Sequence, residues 1–304
     1  MRHLPIGGII PPVVTPLTGK GELDQEALLR IIDHVIAGGS TGLFLLGSTG
    51  EWASLPAGIC REVVTQGVNG ANGRLPVFVN ISDSSLVELH RKANDAAGAG
   101  ADCLVISPPS YFAMTQDELL RFFELAIAGV PLPVLLYNAP QYTRTTIAPG
   151  TVAALGGHDR VVGIKDSSGD LEYMGRLVRT RPRAGFTILT GSELQLWESF
   201  RMGCEGGVCG GANLFPRLYT GFLNAMQEGN PDQIKHFQGL IKRIHEEVYA
   251  GFSTTLSHVI GLKFLMELRG LCGSAMALPV YNELSQHQKK TMAALLADFL
   301  ELGY

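Results

Sequence analysis

Short uninterrupted apolar runs recur along this chain, each followed by a longer stretch whose apolar residues fall three and four apart. Leu43 to Leu46, Pro76 to Asn80, Cys103 to Ser107, Pro133 to Tyr137, Val161 to Lys165 and Phe186 to Thr190 are such runs. A strand that is apolar at every position has both faces covered, the mark of a parallel sheet clad in helices. Gly8 to Val14 reads as a first strand in spite of its prolines, and Gly206 to Gly210 as a short, glycine-rich eighth. Between them, Asp24 is placed to cap a helix with the stripe Leu28, Leu29, Ile31, Ile32 and Val35. Further helical periodicity covers Ser85 to Ala97, Thr115 to Ala128 and Glu193 to Met202. Strands start about every 20 to 35 residues, the size of a β-α unit.

Eight such units predict an α/β fold, the (β/α)8 TIM barrel, over residues 1–225. A doubly wound open sheet is the alternative, but it normally carries a nucleotide fingerprint, and neither GxGxxG nor GxxxxGK[ST] occurs. Asp232 to Val248, Thr254 to Leu268 and Ser285 to Leu302 read as helices, a C-terminal extension over 226–304 packed on the barrel within one domain overall.

Composition narrows the function. The chain has 304 residues, 46% of them hydrophobic, enough for a large core. Its formal charge of −4 and the lack of a Lys/Arg run speak against nucleic acid or an anionic membrane as partner. The N-terminus fits no signal peptide, and no apolar run is long enough to span a bilayer. Five scattered cysteines without a CxxC pair suit a reducing compartment, and the expected location is the cytoplasm.

In a barrel of this kind the chemistry sits at the carboxyl ends of the strands. There the sequence delivers Gly47-Ser48-Thr49-Gly50-Glu51, then Tyr111 beyond the fourth strand, Tyr137-Asn138-Ala139-Pro140, Lys165, and Thr190-Gly191-Ser192-Glu193. A lysine ending the β-branched run Val161 to Ile164 is unusual, since lysine is seldom buried without a partner. Desolvation favours the free amine, the form that attacks a carbonyl. The plainer reading is a stem crossing apolar surface with its head in water. Gly47 to Gly50 can turn tightly at a helix entrance and expose backbone N–H groups beside two hydroxyls, an anion cradle, or else serve as a plain β-α turn. Tyr137 is either a proton carrier or an aromatic packer.

None of the eight histidines falls at an expected strand end, so no metal site is expected. Asp166 and Glu51 read as single acids without a visible partner, which leaves no carboxylate pair for glycoside chemistry. An amine, a phenol and an anion cradle remain, a set suited to carbonyl chemistry through a Schiff base without a cofactor.

Gly47-Ser48-Thr49-Gly50-Glu51, Tyr137-Asn138-Ala139-Pro140 and Gly163-Ile164-Lys165-Asp166-Ser167-Ser168-Gly169-Asp170 together resemble the dihydrodipicolinate synthase / N-acetylneuraminate lyase family. They stand in that family's order and spacing, and the similarity runs from about Gly7 through the helical tail. The resemblance implies a class I pyruvate-dependent aldolase or lyase and a homotetramer built as a dimer of dimers. It implies that Lys165 forms the Schiff base with pyruvate, that Tyr137 relays protons, and that Ser48 and Thr49 hold the pyruvate carboxylate, Thr49 also joining the relay. Tyr111 matches a tyrosine that reaches the neighbouring subunit's site. Gly191, Glu193, Val208, Cys209 and Gly210 fall where the substrate tail is contacted.

The departures bear on the substrate. Synthases of this family carry an arginine two residues after the proline of the tyrosine motif; here that residue is Tyr142, and the nearest arginine is Arg144. Their Tyr-Tyr pair is Ser110-Tyr111, and the acidic pair of the sialic-acid lyases is reduced to Glu193 followed by Leu194. The expected substrate is therefore a 2-keto acid, such as a 2-keto-3-deoxy sugar acid, cleaved to pyruvate and an aldehyde. Two alternatives stand beside it: condensation of pyruvate with aspartate semialdehyde, and a non-catalytic keto-acid-binding barrel.

Overall fold

The structure is a computed structural model and describes residues 6–250, 256–278 and 284–304. Its strands are β1 (Gly8–Ile9), β2 (Leu43–Leu45), β3 (Val77–Asn80), β4 (Cys103–Ile106), β5 (Val134–Asn138), β6 (Val161–Asp166), β7 (Thr187–Thr190) and β8 (Gly206–Gly207). Every residue of β2 to β5 is buried, as continuous apolar runs require. The outer strands are shorter than the sequence suggests. Prolines at positions 11 and 12 remove ladder donors, so β1 stops at Ile9, and only an isolated parallel bridge joins Pro12 to Phe44. After Gly207 the chain leaves the ladder and turns into a short 3₁₀ helix at Gly210–Asn213.

Contacts divide the chain into two compact units. The first is built on Pro76–Val208, with the chain up to Gly8. In it β3 to β8 follow one another in chain order, each parallel to the last. The helix Leu86–Ala99 starts at Ser85, whose side chain accepts from the Glu88 N–H, and stops at Gly100 with φ 95°, where the absent Cβ permits the left-handed turn. Gln116–Ile127 opens with a full capping box between Thr115 and Glu118. The stretch Glu193 to Met202, expected as one helix, is a 3₁₀ turn at Glu193–Gln195 and then a helix at Leu196–Met202.

One irregularity in β6 sets the site. Val134 pairs with Val161, but Leu135 pairs with Gly163, so Val162 is an extra residue in the ladder. Beyond this bulge Tyr137 lies opposite Lys165 and Asn138 opposite Asp166. A one-residue slip would send Lys165 to the other face of the sheet. Gly163 makes the bulge possible, because a Cβ there would lie 2.3 Å from the Thr187 carbonyl oxygen on β7.

The second unit comprises Ile9–Leu75 and Cys209–Tyr304. Asp24 caps the helix Gln25–Ala37 by accepting from the Ala27 N–H, and the stripe Leu28, Ile31, Ile32 and Val35 is buried, while Leu29 remains 40% exposed. The C-terminal helices are Pro231–Ile244, Ser257–Leu268 and Gln286–Glu301. The first continues as a π-turn over His245–Tyr249, and the expected start of the second at Thr254 lies outside the described residues. Among the described residues no helix is long and apolar enough to cross a membrane.

Candidate active site

In the first unit, Lys165 and Tyr137 meet. Lys165 is 5% exposed and Tyr137 6%, and the lysine Nζ lies 4.3 Å from the centroid of the tyrosine ring. Pairing across β5 and β6 places both on one face, since side chains at opposed positions project together. The amine thus lies over the phenol inside the protein, which disposes of the reading with its head in water.

The opposite face of the same strand ends carries a hydrogen-bonded brace. Asn138 Nδ2 donates to Asp166 Oδ1 at 2.7 Å, and the Ile147 N–H donates to Asn138 Oδ1 at 3.0 Å. Ser168 donates to Asp166 through Oγ at 2.8 Å and through its N–H at 3.2 Å. Asp166 is therefore not a solitary acid. Burial pushes its carboxyl above the usual carboxylate range, and the bonds from Asn138 and Ser168 pull it back only in part. Sequence reasoning missed this network, although polar residues directly after Tyr137 and Lys165 were its visible signal.

Gly191 follows β7, and its N–H donates to the Asp166 carbonyl at 2.6 Å. A Cβ at this position would stand 2.0 Å from Ser167 Oγ and 3.1 Å from Lys165 Cε. The glycine is what lets the lysine stem pass. Gly191→Ala should displace Ser167 and the amine, lowering kcat about 10- to 100-fold and the unfolding midpoint with it. Steady-state kinetics beside thermal denaturation checks this.

Tyr142, in the short helix Pro140–Thr143, is half-buried, whereas Arg144 is exposed and ends that helix with φ 56°. Burial, with a smaller contribution from Tyr137, pushes the Tyr142 phenol up to about 12. The folded protein holds this proton to higher pH than the unfolded chain, with its value of 10.0, so stability falls as pH rises through that window. Tyr142→Phe should remove this part of the alkaline decline, measured as unfolding midpoints between pH 10 and 12.

Glu193 is half-buried in its 3₁₀ turn, and Val208 is buried directly after β8. Tyr111 stands apart: it is 79% exposed, on the loop after β4, with its ring edge-on to Phe112 at 4.9 Å.

In the second unit, the Gly47–Gly50 loop follows β2. Contrary to expectation it does not open a helix; a 3₁₀ turn at Trp52–Ser54 intervenes and the helix begins at Ala57. Two turns shape it instead, closed by the Gly50 N–H to the Gly47 carbonyl and the Glu51 N–H to the Ser48 carbonyl, both 3.0 Å. Any anion held here is held by loop amides and hydroxyls rather than by a helix end. Thr49 is buried and Ser48 half-buried. Cys209 is buried and Gly210 begins the 3₁₀ helix that follows β8.

Glu51, like Asp166, has a partner. It forms an ion pair with Lys263, the two side chains 1% and 0% exposed. Lys263 also donates to the Ala275 carbonyl at 2.6 Å, and Glu51 Oε2 accepts from the Ala277 N–H at 2.8 Å. The signal for Lys263 was one charge set within the apolar run Val259 to Met266 of the helix Ser257–Leu268, which cannot be buried alone.

A buried amine against a phenol on adjacent parallel strands is an arrangement suited to chemistry at carbonyl carbon. Comparison with known proteins makes this specific. The profile of the dihydrodipicolinate synthetase family matches residues 5–298. A dihydrodipicolinate synthase structure from Bacteroides thetaiotaomicron superposes with a TM-score of 0.92 at 38% identity, over 97% of this chain and 99% of that one. The putative 2-dehydro-3-deoxy-D-gluconate aldolase YagE of Escherichia coli K12 is 30% identical over 95% of each chain. Its structure, in complex with pyruvate, superposes with a TM-score of 0.89, over 97% of this chain and 99% of that one. YjhH of the same organism, a probable 2-dehydro-3-deoxy-D-pentonate aldolase, is 29% identical over 95% of this chain and 96% of its own. This chain belongs to the dihydrodipicolinate synthetase family. It shares the fold expected from the sequence, the (β/α)8 barrel class with C-terminal helices.

Proposed function

We propose that this enzyme, a member of a family of pyruvate-dependent lyases and aldolases, cleaves a 2-keto-3-deoxy sugar acid to pyruvate and an aldehyde through a Schiff base on Lys165. One observation carries the reading: a buried amine 4.3 Å from the ring of a buried tyrosine. Lys165 attacks the keto carbon, water leaves, and the resulting imine withdraws electrons from the neighbouring C–C bond. Tyr137 takes the proton from the substrate's C4 hydroxyl as that bond breaks, releasing the aldehyde and leaving an enamine on Lys165. Protonation of the enamine and hydrolysis free pyruvate and regenerate the amine. Ser48 and Thr49 take the carboxylate through the loop after β2, and Thr49 serves the proton relay. Gly191, Glu193, Val208, Cys209 and Gly210 bound the substrate tail.

The names of YagE and YjhH support the sugar-acid substrate, as does Tyr142. A phenol held neutral stands where the synthases have a carboxylate-clamping arginine, and Arg144 points its charge to solvent. The second reading, condensation of pyruvate with aspartate semialdehyde, rests on the 38% identity to the Bacteroides synthase. A panel of 2-keto-3-deoxy acids and sialic acids, read as released pyruvate, beside a coupled assay with aspartate semialdehyde, separates them. Pyruvate release from a deoxy sugar acid and no turnover of the semialdehyde is the expected result; the reverse replaces the first reading with the second. No turnover of any substrate, with pyruvate still bound, leaves the keto-acid-binding protein.

The same reading includes a cytoplasmic homotetramer, a dimer of dimers in which Tyr111 enters the neighbouring subunit's site. The exposure of Tyr111 and Phe112, 79% and 74%, supports the subunit contact.

A further inference from the structure

We propose that the buried Glu51–Lys263 pair is a positioning device for the loop that takes the substrate carboxylate, setting affinity for pyruvate rather than the rate of chemistry. The inference rests on the loop role given above. Both ends of the loop are held in backbone conformations that side chains disfavour: Leu46 has φ 57° and Glu51 has φ 56°. Such residues persist only where their surroundings over-determine them. At the Glu51 end those surroundings are fully specified. One carboxylate oxygen meets the Lys263 ammonium, the other accepts the Ala277 N–H, and the ammonium is tied to the Ala275 carbonyl. Glu51 thereby fastens the loop to a helix and to a backbone segment more than 220 residues away in the chain.

The other side of the loop is clamped as well. Thr15 Oγ1 donates to the Gly50 carbonyl at 2.7 Å, and Gly50 lies so close to the chain that a Cβ would come within 2.9 Å of the Val13 carbonyl oxygen. Between these two clamps lie Ser48 and Thr49. A buried ion pair adds little net stability over an apolar filling of equal volume, so its consequence is directional: it fixes where the backbone must be. Neither Glu51 nor Lys263 needs to touch substrate for this.

The experiment traps the pyruvyl adduct with borohydride over a range of pyruvate concentrations, in the parent, Glu51→Gln and Thr15→Val. For Glu51→Gln the half-saturating pyruvate concentration should rise about tenfold or more while the limiting trapping rate stays within about threefold. Thr15→Val, a milder change, should shift the same quantity in the same direction and keeps the test open if Glu51→Gln does not fold. Hydrogen exchange of the peptide spanning Leu46 to Ser54 is measured alongside and should accelerate in both variants without ligand. Unchanged half-saturation in a folded variant, or unchanged exchange, overturns the proposal. If the parent itself traps no pyruvate, the Schiff-base reading fails, and the exchange result alone decides whether the pair positions the loop.

Discussion

Lys165→Ala is expected to abolish pyruvate release, by on the order of 10⁴-fold or more, in a protein that still folds. The amine is the only group in the buried cluster at the ends of β5 and β6 that can form a covalent bond to a keto carbon, and neither Tyr137 nor the Asn138–Asp166 brace can replace it. Lys165 sits at the carboxyl end of β6, and Ile164 behind it is fully buried, so truncation leaves the strand's packing intact. Lys165→Arg should be equally inactive, because a guanidinium stays protonated and does not attack carbonyl carbon. Steady-state pyruvate release and circular dichroism check both variants. Residual activity within tenfold of the parent would move the chemistry to another residue.

Tyr137→Phe should lower kcat by about 10²- to 10⁴-fold, the range that a positioned proton carrier supplies. The substitution keeps the ring on which Lys165 lies and removes one oxygen, so it separates the two roles that a strand-end tyrosine can have. A packing aromatic would tolerate it with no kinetic change. Borohydride trapping should still occur in the variant, more slowly, since the amine remains in place. Loss of turnover with retained trapping is the pattern that assigns the phenol to bond cleavage; equal turnover in the two proteins would return Tyr137 to the core.

Much of this was visible in the residues. The run Val161 to Ile164 announces a buried strand, and Lys165 at its end is conspicuous because the four residues before it are apolar or glycine. Asp24, Ser85 and Thr115 mark helix starts that the structure reproduces, since each reflects a local bond between a side chain and a nearby N–H. What could not be read was register and long-range partnership. Tyr137 faces Lys165 only because Val162 is an extra residue in the ladder, and a bulge leaves no mark in an apolar run beyond the neighbouring Gly163. Glu51 and Asp166 have no partner visible in the local sequence because Lys263 lies in a distant helix and Asn138 on another strand. The loop after β2 looked like a helix entrance since glycine, serine and threonine serve equally in caps and in free turns. The bond from Thr15 to Gly50 and the close approach of Val13 to Gly50, which help shape it, are long-range contacts that local sequence does not encode.

The most direct test is chemical. The protein is incubated with isotopically labelled pyruvate, reduced with borohydride, digested, and the label is located by mass spectrometry. The account predicts one label per chain, on the peptide carrying Lys165, and none in Lys165→Ala. Label on any other lysine, or none under conditions that trap an authentic Schiff-base aldolase, would contradict it.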